Sequence, residues 1–135
     1  MKKRITKNAT EQYAMDRLKE NGLFEGYEHK TYTVLEEFFF ENDCWARTQN
    51  GKGDFTNRGN SKIRGITYTP DFVGSDYVIE VKGYIRQGSY DAFPLRFKLF
   101  KSWLKKNNID KTLYVPRNKK EIDKTIELIL KNRKQ

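Results

Sequence analysis

The chain has 135 residues, with 27 lysines and arginines against 18 aspartates and glutamates, one cysteine and one histidine. This length suits one domain around one core and leaves little for a second. A single cysteine cannot form an internal disulfide, so we expect an intracellular, reducing compartment. The cysteine and histidine counts also exclude zinc fingers, HNH-type nuclease sites and most cysteine–histidine catalytic pairs. With no apolar run of about 18 residues, we expect no membrane span.

The net charge of +9 is concentrated in the last third of the chain. Residues 1–95 hold 14 basic and 14 acidic side chains, whereas residues 96–135 hold 13 basic and 4 acidic ones. A basic surface most often serves a polyanion, and nucleic acid is the commonest one. A solvated helix face that keeps the protein soluble is the alternative explanation.

The first predicted helix begins near Asn8. Asn8 and Glu11 have the spacing of a capping box, and Gly22 is a typical helix stop. Glu11 also lies at the head of an apolar stripe, which consists of Ala14, Met15 and Leu18. The capping box alone could explain Glu11, so a structural role is the alternative to a functional one.

The middle of the chain has strand and loop patterns. Residues 23–40 are rich in aromatic and β-branched side chains and predict one or two strands, although residues 35–41 also fit a short helix. Residues 46–65 are rich in Gly and Asn, with five basic residues and one acidic residue, which predicts a flexible basic loop or a hairpin tip. Residues 66–73 and 77–81 then predict two strands joined by a tight turn.

The C-terminal third predicts a helix, a strand and a helix. The helix over residues 91–107 has an aromatic apolar stripe, the strand over residues 111–115 ends at Pro116, and the last helix covers residues 119–133. The strand–helix–strand crossover predicts an α/β fold with helices on a central sheet, in one domain over residues 1–135.

Two carboxylates and a lysine are predicted to converge at one end of the hairpin. Strand alternation puts Glu80 and Lys82 on one face. The turn then folds Asp71 to within about one pairing step of Glu80. Carboxylates this close repel each other unless a cation lies between them or one is protonated. Mg²⁺ takes such oxygen ligands, and Lys82 could stabilise charge on a phosphate, so the set suits hydrolysis of a phosphodiester.

The Glu-x-Lys triplet is weak by itself, since this composition gives roughly 1.3 matches by chance. A second match, Glu28-His29-Lys30, has no Pro-Asp upstream. Pro-Asp occurs once, nine residues before Glu80 and across the predicted turn. The informative pattern is therefore the combination of the single Pro-Asp with the Glu-x-Lys triplet at Glu80. A strand-start Asp71 and an exposed Glu80–Lys82 strand pair are its structural alternative.

With Pro70-Asp71 followed by Glu80-Val81-Lys82, the chain resembles the PD-(D/E)XK nuclease superfamily. A closer resemblance is to the phage endonuclease I group, which resolves branched DNA and Holliday junctions. It covers about residues 10–35 and 66–84. The shared features are the block Tyr68-Thr69-Pro70-Asp71-Phe72, the Lys82-Gly83 ending, and Glu11, Leu18 and Gly22 in matching register.

The resemblance implies a restriction-endonuclease-like core of a helix, a three-strand meander, a helix and a strand, with an extra C-terminal helix. It implies a Mg²⁺-dependent DNA endonuclease, with Mn²⁺ able to substitute. Asp71, Glu80, the Val81 carbonyl and Glu11 would bind the metal, and Lys82 would be the motif lysine. A homodimer is also implied, because cutting two strands symmetrically needs two sites. The phage group further implies a phage-encoded protein that acts in the host cytoplasm.

We predict DNA contacts for basic side chains after the motif, namely Arg86, Arg96, Lys98, Lys101, Lys105, Lys120 and Lys124. Residues 36–65 are longer than the group suggests and the C-terminal helix matches no motif, so substrate preference stays open. The alternatives are another PD-(D/E)XK nuclease (restriction-type, transposon-end or exonuclease) and a non-catalytic DNA-binding or inhibitor protein on the same fold. An RNA-binding protein is a third reading, although no RNP-type aromatic motif is present.

Overall fold

The computed structural model describes residues 4–48, 50–83 and 92–134. Within these ranges the chain forms three helices and nine short strands and belongs to the mixed α/β class. The elements are α1 (Ala9–Glu20), β1 (Tyr32–Leu35), β2 (Phe38–Phe40), β3 (Trp45–Ala46), β4 (Thr56–Asn57), β5 (Ser61–Ile63), β6 (Ile66–Tyr68), β7 (Phe72–Val73), β8 (Tyr77–Ile79), α2 (Phe93–Lys106), β9 (Thr112–Tyr114) and α3 (Lys119–Arg133). None of these helices is long and apolar enough to cross a bilayer.

The helix ends follow their local capping signals. The Asn8 side chain accepts a hydrogen bond from the Glu11 amide at the start of α1, and Gly22 has a φ of +66° just after its end. Asn118 caps α3 in the same way through the Glu121 amide. Both predicted helices are confirmed. The helix predicted over residues 91–107 corresponds to α2, which has Pro94 in its first turn. Its predicted start at residue 91 lies outside the described residues.

A three-stranded sheet, in the order β7-β8-β9, lies at the centre of the molecule. Strands β7 and β8 are antiparallel, with Phe72 opposite Ile79, and β9 runs parallel to β8 after the crossover through α2. One step beyond that pair, the antiparallel register sets Asp71 opposite Glu80. The backbone of β8 continues past its last assigned residue, because the Glu80 amide donates to the Tyr114 carbonyl at 2.9 Å.

Helices cover both faces of this sheet. Helices α1 and α3 pack on the face that carries Tyr77, Ile79 and Val81. Helix α2 packs on the other face, through Phe100 and Leu104 against residues that include Val78. The predicted alternation along β8 is therefore confirmed, and it directs Glu80 and Lys82 towards the α2 side.

Residues 32–68 form one long antiparallel hairpin, which we call the arm. Its strands pair as β1 with β6, β2 with β5 and β3 with β4. The sequence left a flexible basic loop or a hairpin tip open over residues 46–65, and the structure has the outer part of a hairpin there. Its second half holds β4 and β5, and the described residues of the tip, between β3 and β4, are 47–48 and 50–55. Most side chains beyond the base of the arm are exposed, so its polar composition resembles that of a loop.

The strand predicted over residues 66–73 is two strands in two different sheets. Strand β6 belongs to the arm, whereas β7 belongs to the central sheet. Pro70 lies between them, and proline supplies no backbone N–H for a sheet ladder. This break separates the arm from the sheet and sets Asp71 immediately before β7.

Candidate active site

The three carboxylates predicted from the sequence come from three different elements and are all buried. Glu11 lies in the first turn of α1, Asp71 precedes β7, and Glu80 follows β8, with exposed fractions of 6%, 7% and 8%. The Val81 amide donates to Asp71 Oδ2 at 2.7 Å, which fixes that carboxylate against the neighbouring strand. Three buried carboxylates close together are uncommon in a folded protein, and such a group is typical of a functional site.

A fourth carboxylate, that of Glu28, joins them. An isolated bridge between Tyr27 and Phe72 brings this segment to the edge of β7, and the Glu28 amide donates to the Asp71 carbonyl at 2.8 Å. Single carboxylate oxygens of Glu11, Glu28 and Asp71 lie within 4.8 Å of one another. We call these three residues the acidic cluster. Glu28 has a φ of +47°, a strained conformation for this residue type, and such strain often occurs at functional sites.

Two tyrosines hold two of the carboxylates in position. The Tyr27 hydroxyl donates to Glu11 Oε1 at 2.7 Å, and the Tyr68 hydroxyl donates to Glu80 Oε1 at 2.6 Å. Burial raises the pKa of both phenols, and the charge of the neighbouring glutamate adds to the rise, so both hydroxyls stay protonated and act as donors. These hydrogen bonds orient Glu11 and Glu80 without neutralising them.

The clustering changes the ionisation of the central carboxylate. Burial raises the pKa of Asp71 to about 7, the charge of Glu80 adds to the rise, and the hydrogen bond from the Val81 amide opposes it. Burial also raises the pKa of Glu80, against the opposing effects of Tyr68 and Lys82. Near neutral pH, Asp71 is therefore about half protonated unless a cation neutralises the site.

Lys82 lies between Glu80 and an open pocket. Its ammonium is 3.5 Å from Glu80 Oε2 and 4.2 Å from the centroid of the Phe93 ring. The pocket has a volume of about 330 Å³ and is lined by Thr67, Tyr68, Thr69, Glu80, Lys82, Phe93 and Arg96. Two basic side chains and one carboxylate thus face the same opening. A phosphate in this pocket would find positive charge on two sides.

The donor set fits a hard divalent cation. Mg²⁺ holds oxygens about 2 Å away, so ligands on opposite sides of the ion are about 4 Å apart. Ligands at adjacent positions are about 3 Å apart, so the oxygens of the acidic cluster, which lie within 4.8 Å of one another, need to close by up to about 2 Å. Glu80 is turned towards Tyr68 and Lys82, so Glu28 is a better candidate than Glu80 for the third carboxylate ligand. The resemblance implied the Val81 carbonyl as a metal ligand, but the Val81 atom that contacts Asp71 is the amide N–H.

The predicted DNA-contact residues are separated by the fold. Arg96 lines the pocket, and Lys98, Lys101 and Lys105 are exposed on α2. At 100° per residue these lysines lie about 170° around the helix from Arg96. Lys120 and Lys124 are exposed on α3, on the opposite face of the central sheet, and Lys124 pairs with Glu127 at 3.3 Å. Arg86 lies outside the described residues.

Sequence reasoning missed Glu28 and both orienting tyrosines. Tyr68 begins the block that carries the family resemblance, so a signal for it was present. Glu28 belongs to the second Glu-x-Lys triplet, which lacks a Pro-Asp and offers no local signal. Its position depends on the pairing of Tyr27 with Phe72, 45 residues later in the chain. No protein-family model, no curated protein and no solved structure matches this chain.

Proposed function

We propose that this protein is a metal-dependent DNA endonuclease that hydrolyses phosphodiester bonds in branched DNA, on a core of the PD-(D/E)XK type. The observation that supports the proposal is the convergence of buried carboxylates beside a lysine and an open pocket. The Lys7 ammonium pairs with Glu28 at 2.9 Å, and the rest of the negative charge in the cluster is costly unless a further cation is present. A phosphodiester is a substrate for which both such a cation and Lys82 have a use.

The residues have distinct roles in this proposal. Glu11, Glu28 and Asp71 hold Mg²⁺ or Mn²⁺, and Glu80 completes the negative wall of the site. When bound, the metal activates a water and neutralises charge on the phosphate. Lys82 lies where its ammonium can stabilise negative charge that develops on a phosphate oxygen. Tyr68 keeps Glu80 oriented, and Arg96 binds the same or the adjacent phosphate in the pocket.

Hydrolysis then proceeds by attack of water on phosphorus. The bond from phosphorus to one bridging oxygen breaks, and that oxygen takes up a proton as it leaves. The products are a phosphomonoester end and a free hydroxyl end. Symmetric cutting of a junction needs two such sites, so we propose that the protein acts as a homodimer.

The decisive experiment uses the purified full chain and its Asp71→Ala and Lys82→Ala variants. Each is incubated with a labelled four-way junction, a linear duplex and a single strand, with Mg²⁺, Mn²⁺ or EDTA. We expect cleavage of the junction with either metal, none in EDTA, and a loss of at least about a hundredfold in each variant. Asp110→Ala, at an exposed aspartate, is the matched control and keeps wild-type activity.

The outcomes separate the alternatives that the sequence left open. Cleavage that persists in EDTA or in Asp71→Ala contradicts the mechanism. Equal cleavage of junction and linear duplex contradicts the preference for branched DNA and favours another nuclease of the same superfamily. Binding without cleavage in either metal favours a non-catalytic DNA-binding protein.

A further inference from the structure

The tip of the arm, together with the adjoining strand β3, carries two large aromatic side chains that nothing in the described part of the chain covers. Trp45 is 59% exposed and Phe55 is 65% exposed. Because Trp45 pairs with Asn57 across the hairpin, Phe55 lies two residues away on the same face, and the two ring centroids are 6.1 Å apart. Exposed tryptophan is unfavourable in water, so a paired aromatic surface at this position suggests a partner.

The described residues of the tip are held by hydrogen bonds within the arm. The Thr48 amide donates to the Lys52 carbonyl at 3.0 Å, and the Thr48 hydroxyl donates to the same carbonyl. Gly51 and Gly53 both have a φ of +78°, which allows the chain to turn tightly. Arg58 Nε donates to the Ala46 carbonyl at 3.0 Å and ties the two strands together. The aromatic pair is therefore presented on an ordered support.

The charged residues near the tip indicate which kind of partner it would bind. Residues 45–58 hold three basic side chains, Arg47, Lys52 and Arg58, against one acidic side chain, Asp54. The strand leading to the tip is different, since residues 36–43 hold four acidic side chains and no basic one. Aromatic side chains with flanking positive charge are typical of surfaces that stack on the bases of unpaired nucleic acid. The acidic part of the arm would repel the same ligand.

We infer that the arm tip is a second nucleic-acid contact, in which Trp45 and Phe55 stack on bases left unpaired at a DNA branch point and Arg47 and Lys52 contact the adjacent phosphates. The inference rests on the proposed function and identifies its substrate class. The arm starts at the candidate active site, where Tyr68 contacts Glu80, and the 13 steps along its strand from Tyr32 to Trp45 span at most about 43 Å. In this proposal the tip contacts DNA at a point separate from the bond that is cut.

The test measures binding without cleavage. A fluorescein-labelled four-way junction and a fully paired duplex with the same arm sequences are titrated with the full chain in EDTA. Trp45→Ala and Phe55→Ala should each weaken junction binding by about tenfold, within the range measured for loss of one stacked base. Duplex binding should change by less than about twofold. Trp45→Phe, which keeps a ring, should retain most of the junction affinity.

Two controls check that the effect belongs to the tip. Leu95→Ala removes a 54% exposed apolar side chain from α2 and should leave both affinities unchanged. Thermal unfolding should be the same in all variants, because the tip is remote from both core clusters. Arg47→Gln gives a second route to the same surface and should weaken junction binding without altering the ring pair.

Some results would overturn the inference. One is unchanged junction binding in both alanine variants, and another is an equal loss of affinity for junction and duplex. A third is that the alanine variants sediment as monomers in the absence of DNA while wild type sediments as a dimer. The last result would identify the tip as a protein–protein surface. If wild type cleaves junctions and Trp45→Ala binds them as well as wild type does, the endonuclease proposal stands and the inference about the tip fails. If junction binding depends on the tip but no metal supports cleavage, the inference about the tip stands and the endonuclease proposal fails.

Discussion

At the scale of single residues, the candidate site depends on how three buried carboxylates and the partly buried Glu28 lie close together. Asp71 has Glu80 opposite it in the strand register and Glu11 and Glu28 within 4.8 Å. Each neighbour makes ionisation of Asp71 more costly, and burial adds to that cost. In the proposed site, a proton and a metal ion would therefore compete for Asp71.

This competition predicts an unusual pH dependence for the metal-free protein. The folded pKa of Asp71 is about 7, above its ordinary 3.8, so between these values the folded protein holds a proton that the unfolded chain has released. The free energy of unfolding therefore falls as the pH rises across that window. The Asp71→Asn variant should lose this dependence and be more stable than wild type at pH 8 in EDTA. The shift sets an upper bound on the order of 4 kcal/mol.

Urea unfolding in EDTA from about pH 4.5 to 8 checks this expectation. Asp110→Asn is the control at an exposed aspartate and should follow the wild type. Added Mg²⁺ should stabilise the wild type at pH 8 and leave Asp71→Asn unchanged. Parallel pH profiles for wild type and Asp71→Asn would show that Asp71 is not the group responsible.

Tyr68 predicts a change in the pH–rate profile. Its hydrogen bond lowers the pKa of Glu80, in opposition to the effect of burial. Tyr68→Phe removes that hydrogen bond, so the pKa of Glu80 rises further and Glu80 is protonated at a higher pH. The acid limb of the profile for kcat/KM should then move to higher pH, and the loss of activity relative to wild type should shrink as the pH rises.

The phenylalanine ring can still pack against Phe100, whose centroid lies 5.0 Å from that of Tyr68, so the fold should survive. Tyr114→Phe is the matched control, because its hydroxyl accepts from Asn132 away from the site. An equal loss at every pH would mean that Tyr68 acts through packing and has no effect on the ionisation of Glu80.

At the scale of elements, the sequence predicted the helices well because their signals are local. The Asn8–Glu11 and Asn118–Glu121 caps lie within one turn of the helices that they start. The arm has no such local signal. Its strands are exposed on both faces beyond the base, so they lack the alternation of apolar and polar residues that predicts a strand. The same limit applies to Glu28, because a contact across 45 residues leaves no trace in the local pattern.

Gly59 predicts how the arm could be disrupted separately from the core. A Cβ atom at Gly59 would clash with the Asn42 carbonyl oxygen, so the two strands of the arm must separate to accept alanine. Gly59→Ala should speed tryptic cleavage at Arg47, Lys52 and Arg58 and leave the melting temperature of the core within a few degrees of wild type.

Asn60→Gly is the matched control one residue away. Asn60 has a φ of +50°, which glycine adopts without strain, so this variant should keep the arm intact. If Gly59→Ala lowers the core melting temperature as much as it speeds cleavage in the arm, the two parts unfold as one unit.

At the scale of the whole molecule, the net charge of +9 is divided between surfaces that face different ways. Helix α2 packs on the same face of the sheet as the pocket, although its lysines lie about 170° around the helix from Arg96, whereas α3 packs on the opposite face. The sequence gives the total charge and its concentration in residues 96–135. It does not give this division, because the faces are assigned by packing.

The division predicts unequal effects of neutralisation. Replacing Lys98, Lys101 and Lys105 by glutamine should reduce the slope of log affinity against log salt by up to about 3 for duplex DNA. Replacing Lys120 and Lys124 should change it by less than about 0.5. Filter binding between about 50 and 200 mM salt measures both slopes. A larger effect from the α3 pair would mean that DNA approaches from the other face.

One residue joins the arm to the chemistry. Tyr68 is both the last residue of strand β6 and the donor to Glu80, and three positions later the chain reaches Asp71. If the arm contacts DNA as proposed, Tyr68 is the residue through which a displacement of the arm would act on Glu80. A bent or strained substrate would shift Glu80 relative to Asp71, whereas a relaxed one would not. For the proposed nuclease, reactivity would then depend on the shape of the DNA as well as on the groups at the bond that is cut.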